Sequence, residues 1–166
     1  SDYCSNYYTY IPDVIFEQNL INKGYDYNID GQVLTANIIN IDSLDVSINP
    51  NSFIYPYVIS DLTGIEDFVN LTYLNCRGGL SPFGIFLGEL SNLDLSQNIN
   101  LQCRCSGLSS LDITQNPNLT ILDCSNDVFS GPTPCQNNNL NNIISNLNLS
   151  NNFSLSSISI NGNNLT

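Results

Sequence analysis

The chain of 166 residues has no histidine, no methionine and no tryptophan, and its only basic side chains are Lys23, Arg77 and Arg104. Each absence removes something. Without histidine there is no Ser–His–Asp triad and no histidine-containing metal site. Set against 15 acids, the three bases leave a formal net charge of −12. A face of that sign cannot neutralise phosphates, which disfavours nucleic acid and, equally, an anionic membrane surface. No apolar run approaches the ~20 residues of a spanning helix. No secretory signal stands at Ser1, so the chain is expected to be a mature or trimmed form. Glu17, Glu66 and Glu89 are scattered, which gives a paired-carboxylate glycosidase site little support. Ser and Asp recur at intervals that strand alternation already explains. The expectation is a protein that is not an enzyme.

What is abundant is Asn, Ser and Leu. An Asn-rich composition is compatible with disorder, but here Asn recurs in register with Leu and Ile. The unit is an apolar residue, two variable residues, apolar-x-apolar, two variable residues, then Asn. It appears as Ile41, Leu44, Val46, Asn49, then as Leu90, Leu93, Leu95, Asn98 and Leu108, Leu111, Ile113, Asn116. It returns as Ile144, Leu147, Leu149, Asn152 and Leu155, Ile158, Ile160, Asn163. Two copies lose the Asn: Leu71, Leu74, Cys76, Gly79, and Leu119, Leu122, Cys124, Asp127. The copy at Leu101, Cys103, Cys105 is one residue short.

Alternation at the second and third apolar positions is the period of a short strand. One such strand cannot bury its face alone, so successive copies must stack to make a core. The Asn amide is suited to satisfying backbone groups where the chain turns out of the strand, as an inward polar ladder requires. The length suits one domain.

These residues resemble the leucine-rich repeats of secreted surface proteins from flavobacteria and their relatives. Asn70–Cys76 (NLTYLNC) and Asn118–Cys124 (NLTILDC) resemble the strand half of that family's unit. Leu90–Asn98 (LSNLDLSQN) and Leu108–Asn116 (LSSLDITQN) resemble the returning half. Ile11–Asp30 followed by Gly31–Ile38 resembles the short capping segment that precedes such repeats. The resemblance implies an α/β solenoid: a right-handed stack of leucine-rich-repeat coils with short parallel strands on a concave face and an N-terminal helical cap. Residues 1–31 would be the cap and residues 32–166 the solenoid. Strand halves fall at Ile41, Leu71, Leu101, Leu119 and Leu155, at steps of 30, 30, 18 and 36 residues. Insertions near 49–59, 79–89 and 128–142 make these steps uneven, and such additions normally bulge outward as loops. The resemblance also implies a secreted or cell-surface setting and an adhesive or protein-binding role, without identifying a ligand.

Locally, Asp13 is placed to cap a helix through Phe16, Leu20 and Ile21 that Gly24 ends. Phe16 and Leu20 would share its buried face and cover the open end of the stack. Thr63–Asn70 is expected to make another helical turn with Ile65, Phe68 and Val69 inward.

The outward strand positions define a candidate binding face: Tyr73, Asn75, Arg77, Arg104, Ile121 and Asp123, with Ser43, Asp45, Ser47, Gln102, Ser157 and Ser159 around them. Tyr73 and Ile121 stand where core packing does not demand them, and an aromatic beside Arg is a common start for a binding hot spot. The aromatic residues Phe53, Tyr55, Tyr57, Phe83 and Phe86 of the insertions are candidate loop contacts. The bland alternative is a solvated sheet face on a passive spacer or stalk within a larger secreted protein. The ligand class expected is a protein or a polysaccharide.

Cys76, Cys105 and Cys124 take the same inward position in successive strand halves, as a buried thiol column would; a zinc cluster fits a crowded core less well. Cys103 takes the preceding inward position, and Cys4 and Cys135 lie outside the ladder. A disulfide from Cys103 or Cys105 to Cys135, pinning the third insertion, is one arrangement, and a bond to Cys4 is another. Asp26, Asn28 and Asp30 before Gly31 resemble the start of a calcium loop, but the distal Glu is replaced by Asn37. A capped turn accounts for the same residues, so no cofactor is expected, with calcium bound at Asp26, Asn28 and Asp30 the alternative. The N-x-S/T sequons at Asn70, Asn118, Asn148, Asn152 and Asn164 follow from the repeat pattern itself.

Overall fold

A computed structural model describes residues 7–47, 58–76, 90, 93–98, 100–105, 108, 110–124, 144–161, 163 and 165. For 79–80, 86–87 and 104–105 it describes the backbone alone.

The first elements among the described residues are strand β1 (Tyr8–Tyr10) and helix α1 (Val14–Asn22). Asp13 starts α1 as its side-chain Oδ1 accepts the N–H groups of Ile15 and Phe16, each at 2.9 Å, satisfying two donors that a helix start leaves unpaired. Phe16 and Leu20, one helical turn apart, are fully buried. Gly24 ends the helix at φ +79°, a conformation glycine adopts without strain. Strand β2 (Gln32–Leu34) then pairs antiparallel with β1, and α2 (Thr35–Ile38) adds one turn. The ribbon of β1 and β2 joins the two sides of residue 31.

The repeats follow. Strands β3 (Ser43–Asp45), β4 (Tyr73–Cys76), β5 (Gly79–Leu80), β6 (Phe86–Leu87), β7 (Gln102–Cys105), β8 (Ile121–Asp123) and β9 (Ser157–Ser159) succeed one another. β3, β4, β7, β8 and β9 form one parallel sheet in chain order, each step bringing the next strand beside the last. All five lie where the leucine register puts strand halves. The shortened copy keeps its phase as well, since Cys103 aligns with Leu74 and Cys105 with Cys76.

Leu44, Leu74, Cys103 and Leu122 share one inward row and are all fully buried. The row ends at Ile158 on edge strand β9, which is 40% exposed. Leu44 belongs to the core cluster that includes Phe16, Leu20 and Ile38, whereas among the described residues no strand pairs with the far edge of β9. Leu149, which the repeat pattern made inward, is also exposed. Phe16 stacks on Phe68 with ring centroids 6.3 Å apart, joining α1 to the stack.

The asparagines form the expected inward ladder. Asn98 Nδ2 donates to the carbonyls of Ile65 and Phe68. Asn116 Nδ2 donates to those of Leu95 and Asn98, and Asn152 Nδ2 to those of Ile113 and Asn116. Asn163 repeats the pattern on Cys124 and Ile160. Each amide therefore closes its own turn or the turn of the coil before it, which couples the coils through polar bonds as well as apolar contact.

The helical turn expected over Thr63–Asn70 needs correction: it is only a 3₁₀ turn at Ile65–Asp67, and Val69 points to solvent. Phe68 leaves helical geometry at ψ 61°, which ends the winding before Val69 can come round to the core. Within the segment near 79–89, β5 and β6 pair antiparallel, Gly79 with Leu87 and Leu80 with Phe86. Most of the insertion near 49–59, and all of that near 128–142, lies outside the described residues. Among the described residues no helix is long and apolar enough to cross a membrane.

Candidate binding face

The outward positions of the parallel sheet fall into two rows across the strands. One row runs Ser43, Tyr73, Gln102, Ile121, Ser157, and the other Asp45, Asn75, Arg104, Asp123, Ser159. Period-2 alternation makes these register positions outward of the core row between them. Tyr73, Asn75, Ile121 and Asp123 are half-buried, while Ser43, Asp45 and Gln102 are exposed. Tyr73 and Ile121 thus sit two strands apart on one line, with Gln102 between them.

The second row is polar and locally fixed. Asn75 Nδ2 donates to Asp45 Oδ2 at 3.1 Å, across neighbouring strands. Asp45 Oδ1 also accepts the Ser47 N–H at 2.9 Å and its hydroxyl at 2.6 Å. Partial burial opposes ionisation of Asp45. The Ser47 and Asn75 hydrogen bonds and the charge of Lys23 outweigh it, holding the carboxyl below its usual range. The backbone register sets Arg104 between Asn75 and Asp123, in the row beside that of Tyr73. Arg77, Phe53, Tyr55, Tyr57 and Phe83 lie outside the described residues, and of Phe86 only its backbone position in β6 is described.

One recurrent element went unrecognised in the sequence. In Asp61–Thr63, Asp94–Ser96, Asp112–Thr114 and Asn148–Ser150, as in Asp45–Ser47, a side-chain oxygen accepts the N–H two residues on. Strand alternation accounts for the spacing; the structure supplies the reason for the residue types, a side-chain turn that spares a backbone donor. At Asp112 the Thr114 N–H and hydroxyl hold the carboxyl below its usual range. An open groove includes Asp61, Glu66 and Asp94 in its lining. Each of these carboxylates is engaged locally, with Thr63, the Gly64 N–H and the Ser96 N–H respectively.

At the calcium-like stretch, Glu17 is the organising residue. It is fully buried, and its Oε1 accepts three successive N–H groups, from Asp30, Gly31 and Gln32, at 2.9, 2.7 and 3.1 Å. Asp30 Oδ1 accepts the Gln32 N–H at 3.3 Å. Glu17 Oε2 and Asp26 Oδ2 are buried without a hydrogen-bond partner. Among the described residues no three His, Cys, Asp or Glu side chains gather as a metal-holding group.

Cys76 and Cys124 are buried thiols, and Cys103 is in a disulfide. Cys105 is aligned with Cys76 by backbone register, but its side chain, like Cys4 and Cys135, lies outside the described residues. Burial, with the nearby Cys124, pushes the Cys76 thiol far above its ordinary value. Burial and the adjacent Asp123 charge push Cys124 up to about 12.

No protein-family model and no curated protein sequence matches the chain. Solved structures do. The functional domain of InlJ from Listeria monocytogenes, described as including a cysteine ladder, matches with a TM-score of 0.65 at 23% identity over 97% of this chain and 30% of its own. An internalin, InlF, from L. monocytogenes strain 4b F2365 matches with a TM-score of 0.50 at 20% identity over 94% of this chain and 45% of its own. The chain therefore has a leucine-rich-repeat, solenoid-like fold, and it spans less than half the length of either of these structures.

Proposed function

We propose that this chain is a non-catalytic, secreted or cell-surface module that binds a protein partner on the outward face of its five-stranded parallel sheet. The observation that carries the reading is the line of Tyr73 and Ile121, half-buried side chains set two strands apart on a face the core does not use. Such side chains present large contact area, and strands paired along both edges hold their backbone with little entropy left to lose on binding. Beside them the row of Asp45, Asn75, Arg104 and Asp123 supplies polar groups of both signs, the kind of array that sets partner choice. The leucine-rich-repeat fold shared with the InlJ functional domain is a scaffold whose stacked repeats present an extended face. Residues 1–31 serve as the cap that closes the first coil, and the aromatic residues of the insertions extend the contact area.

The test is a capture of surface proteins on the immobilised chain, repeated with Tyr73→Ala and Arg104→Ala together. Both occupy outward register positions of the sheet, so the melting transition should be retained. Concave-face binding predicts at least about a ten-fold loss of affinity, or 1.4 kcal/mol. A partner bound equally well by the double variant defeats the proposal, and no partner at all leaves the chain a passive spacer.

A further inference from the structure

The ribbon of β1 and β2 carries a second surface, separate from the parallel sheet. Its inner face is Thr9 and Val33, which lie opposite one another and are buried. Alternation then places Tyr8 and Tyr10 together on the outer face, where Leu34 lies opposite Tyr8 and Gln32 opposite Tyr10. Tyr8 is 53% exposed and Tyr10 66%, so neither ring is accounted for by packing. Gln32 is exposed as well. None of the four side chains is charged, on a chain whose net charge is −12.

We propose that this outer face is a binding site for a neutral polysaccharide, which would lie across the rings of Tyr8 and Tyr10 with Gln32 bonding to its hydroxyls. Three observations carry it. The chemistry fits: tyrosine offers an apolar ring face for the C–H side of a sugar and a hydroxyl at its tip, and the amide both donates and accepts. The charge selects: a sulfated or uronic polymer meets the negative field of the whole chain, whereas a neutral one is not repelled. The area disfavours the rival occupant, a protein: three residues by two strands cover only about 10 Å by 10 Å. A stable protein interface needs on the order of 800 Å² from each side.

The platform is also rigid. The Thr9 hydroxyl donates to Asp67 Oδ2 at 2.7 Å and lies 2.9 Å from the Thr35 hydroxyl. Behind it, Gly64 is packed so closely against the Tyr10 carbonyl and Ile11 that no side chain fits there. Both rings are therefore carried on a backbone fixed from within, which lowers the ordering cost of binding.

Affinity electrophoresis in native gels containing hydroxyethylcellulose, mannan or soluble starch tests this, with alginate and heparin as anionic comparisons. The expected result is retardation by at least one neutral polymer. It should weaken at least about ten-fold in the Tyr8→Ala, Tyr10→Ala double variant, weaken less in Gln32→Ala, and be unchanged in Tyr73→Ala. If the double variant melts early, Tyr10→Thr, which suits an exposed strand, takes its place. Retardation by no neutral polymer, by the anionic polymers alone, or undiminished in the ribbon variants overturns the proposal. Loss of a captured protein partner in the ribbon variants, without polymer binding, assigns the face to protein instead.

Discussion

Asp13 and Ser60 are joined by a carboxylate that works in two directions. Its Oδ2 accepts the Ser60 N–H at 2.8 Å, the Ser60 hydroxyl at 3.1 Å and the Asp61 N–H at 3.1 Å. Its Oδ1 caps α1 on the other side. One side chain thus starts the helix and fastens it to a segment 47 residues away.

Removing it should cost more than a helix cap alone. Asp13→Ala is expected to destabilise the chain by about 2 kcal/mol or more, beyond the ~1 kcal/mol typical of a lost cap. Asp13→Asn keeps a single acceptor oxygen, so it can serve the helix or Ser60 but not both, and should fall between. Urea unfolding measures the order. An Asn variant as stable as the native chain would show that the link to Ser60 contributes nothing.

Gly64 should be the least replaceable of the glycines at positive φ. It sits at φ +101°, and an added Cβ would meet Ile11 Cδ1 and, at 2.6 Å, the Tyr10 carbonyl oxygen. Gly24 and Gly31 also have positive φ but open space around them. Alanine at either of those should cost about 1–2 kcal/mol, the left-handed penalty alone. Gly64→Ala adds a clash with backbone and should cost several times as much or prevent folding. Equal melting midpoints for the three variants would contradict this.

The asparagine ladder predicts a reversed order of conservative changes. Asn116 Nδ2 bonds two carbonyls, and the residue is fully buried. Asn116→Ala strands those acceptors and should cost about 2–4 kcal/mol. Asn116→Asp, though closest in shape, aims a carboxylate at the same carbonyls in a dry site and should be worse at neutral pH. Lowering the pH to protonate it should recover part of the loss. Aspartate tolerated better than alanine at pH 7 would show that the amide donors are dispensable.

The thiol at Cys124 should make stability fall at high pH. Its value in the folded chain, about 12, lies above the 9.0 of an ordinary thiol. The unfolded chain therefore loses its proton first as pH rises, so the contribution is intact below about 9 and is lost between about 9 and 12. Cys124→Ala, less stable overall because of the cavity, should lose less than the native chain over that interval. In the folded chain at pH 8 both Cys76 and Cys124 should resist iodoacetamide, which reacts with thiolate, and become reactive on unfolding. Rapid alkylation of the native chain would show that these thiols are accessible.

Much of the fold was legible because its signals are periodic. Leu71, Leu101 and Leu119 announce β4, β7 and β8 by spacing alone, and Asp13 with Gly24 marks both ends of α1. Tyr73 and Ile121 were recognisable as outward for the same reason. Less legible was anything set by partners far along the chain. Glu17 looked like one of three scattered acids, yet it is buried and gathers the N–H groups of residues 30–32. Tyr8 and Tyr10 precede the repeats and follow no repeat register, so nothing marked them as neighbours of Gln32 on an exposed ribbon.

By itself, then, the sequence determined the stack: a recurring apolar triplet with Asn can bury its inward side chains only against another copy of itself. It determined too that the chain lacks the histidines of common catalytic and metal sites and the bases that phosphate binding needs. Only the tertiary structure decided how deeply each member of the inward row is buried: Leu44 and Ile158 hold aligned positions, yet Leu44 is fully buried and Ile158 is 40% exposed. It also decided how the outward positions are grouped, because neighbours across the sheet come from residues 19 to 36 positions apart. Local pattern fixes the direction in which a side chain points; its neighbours are fixed by how the coils come into register.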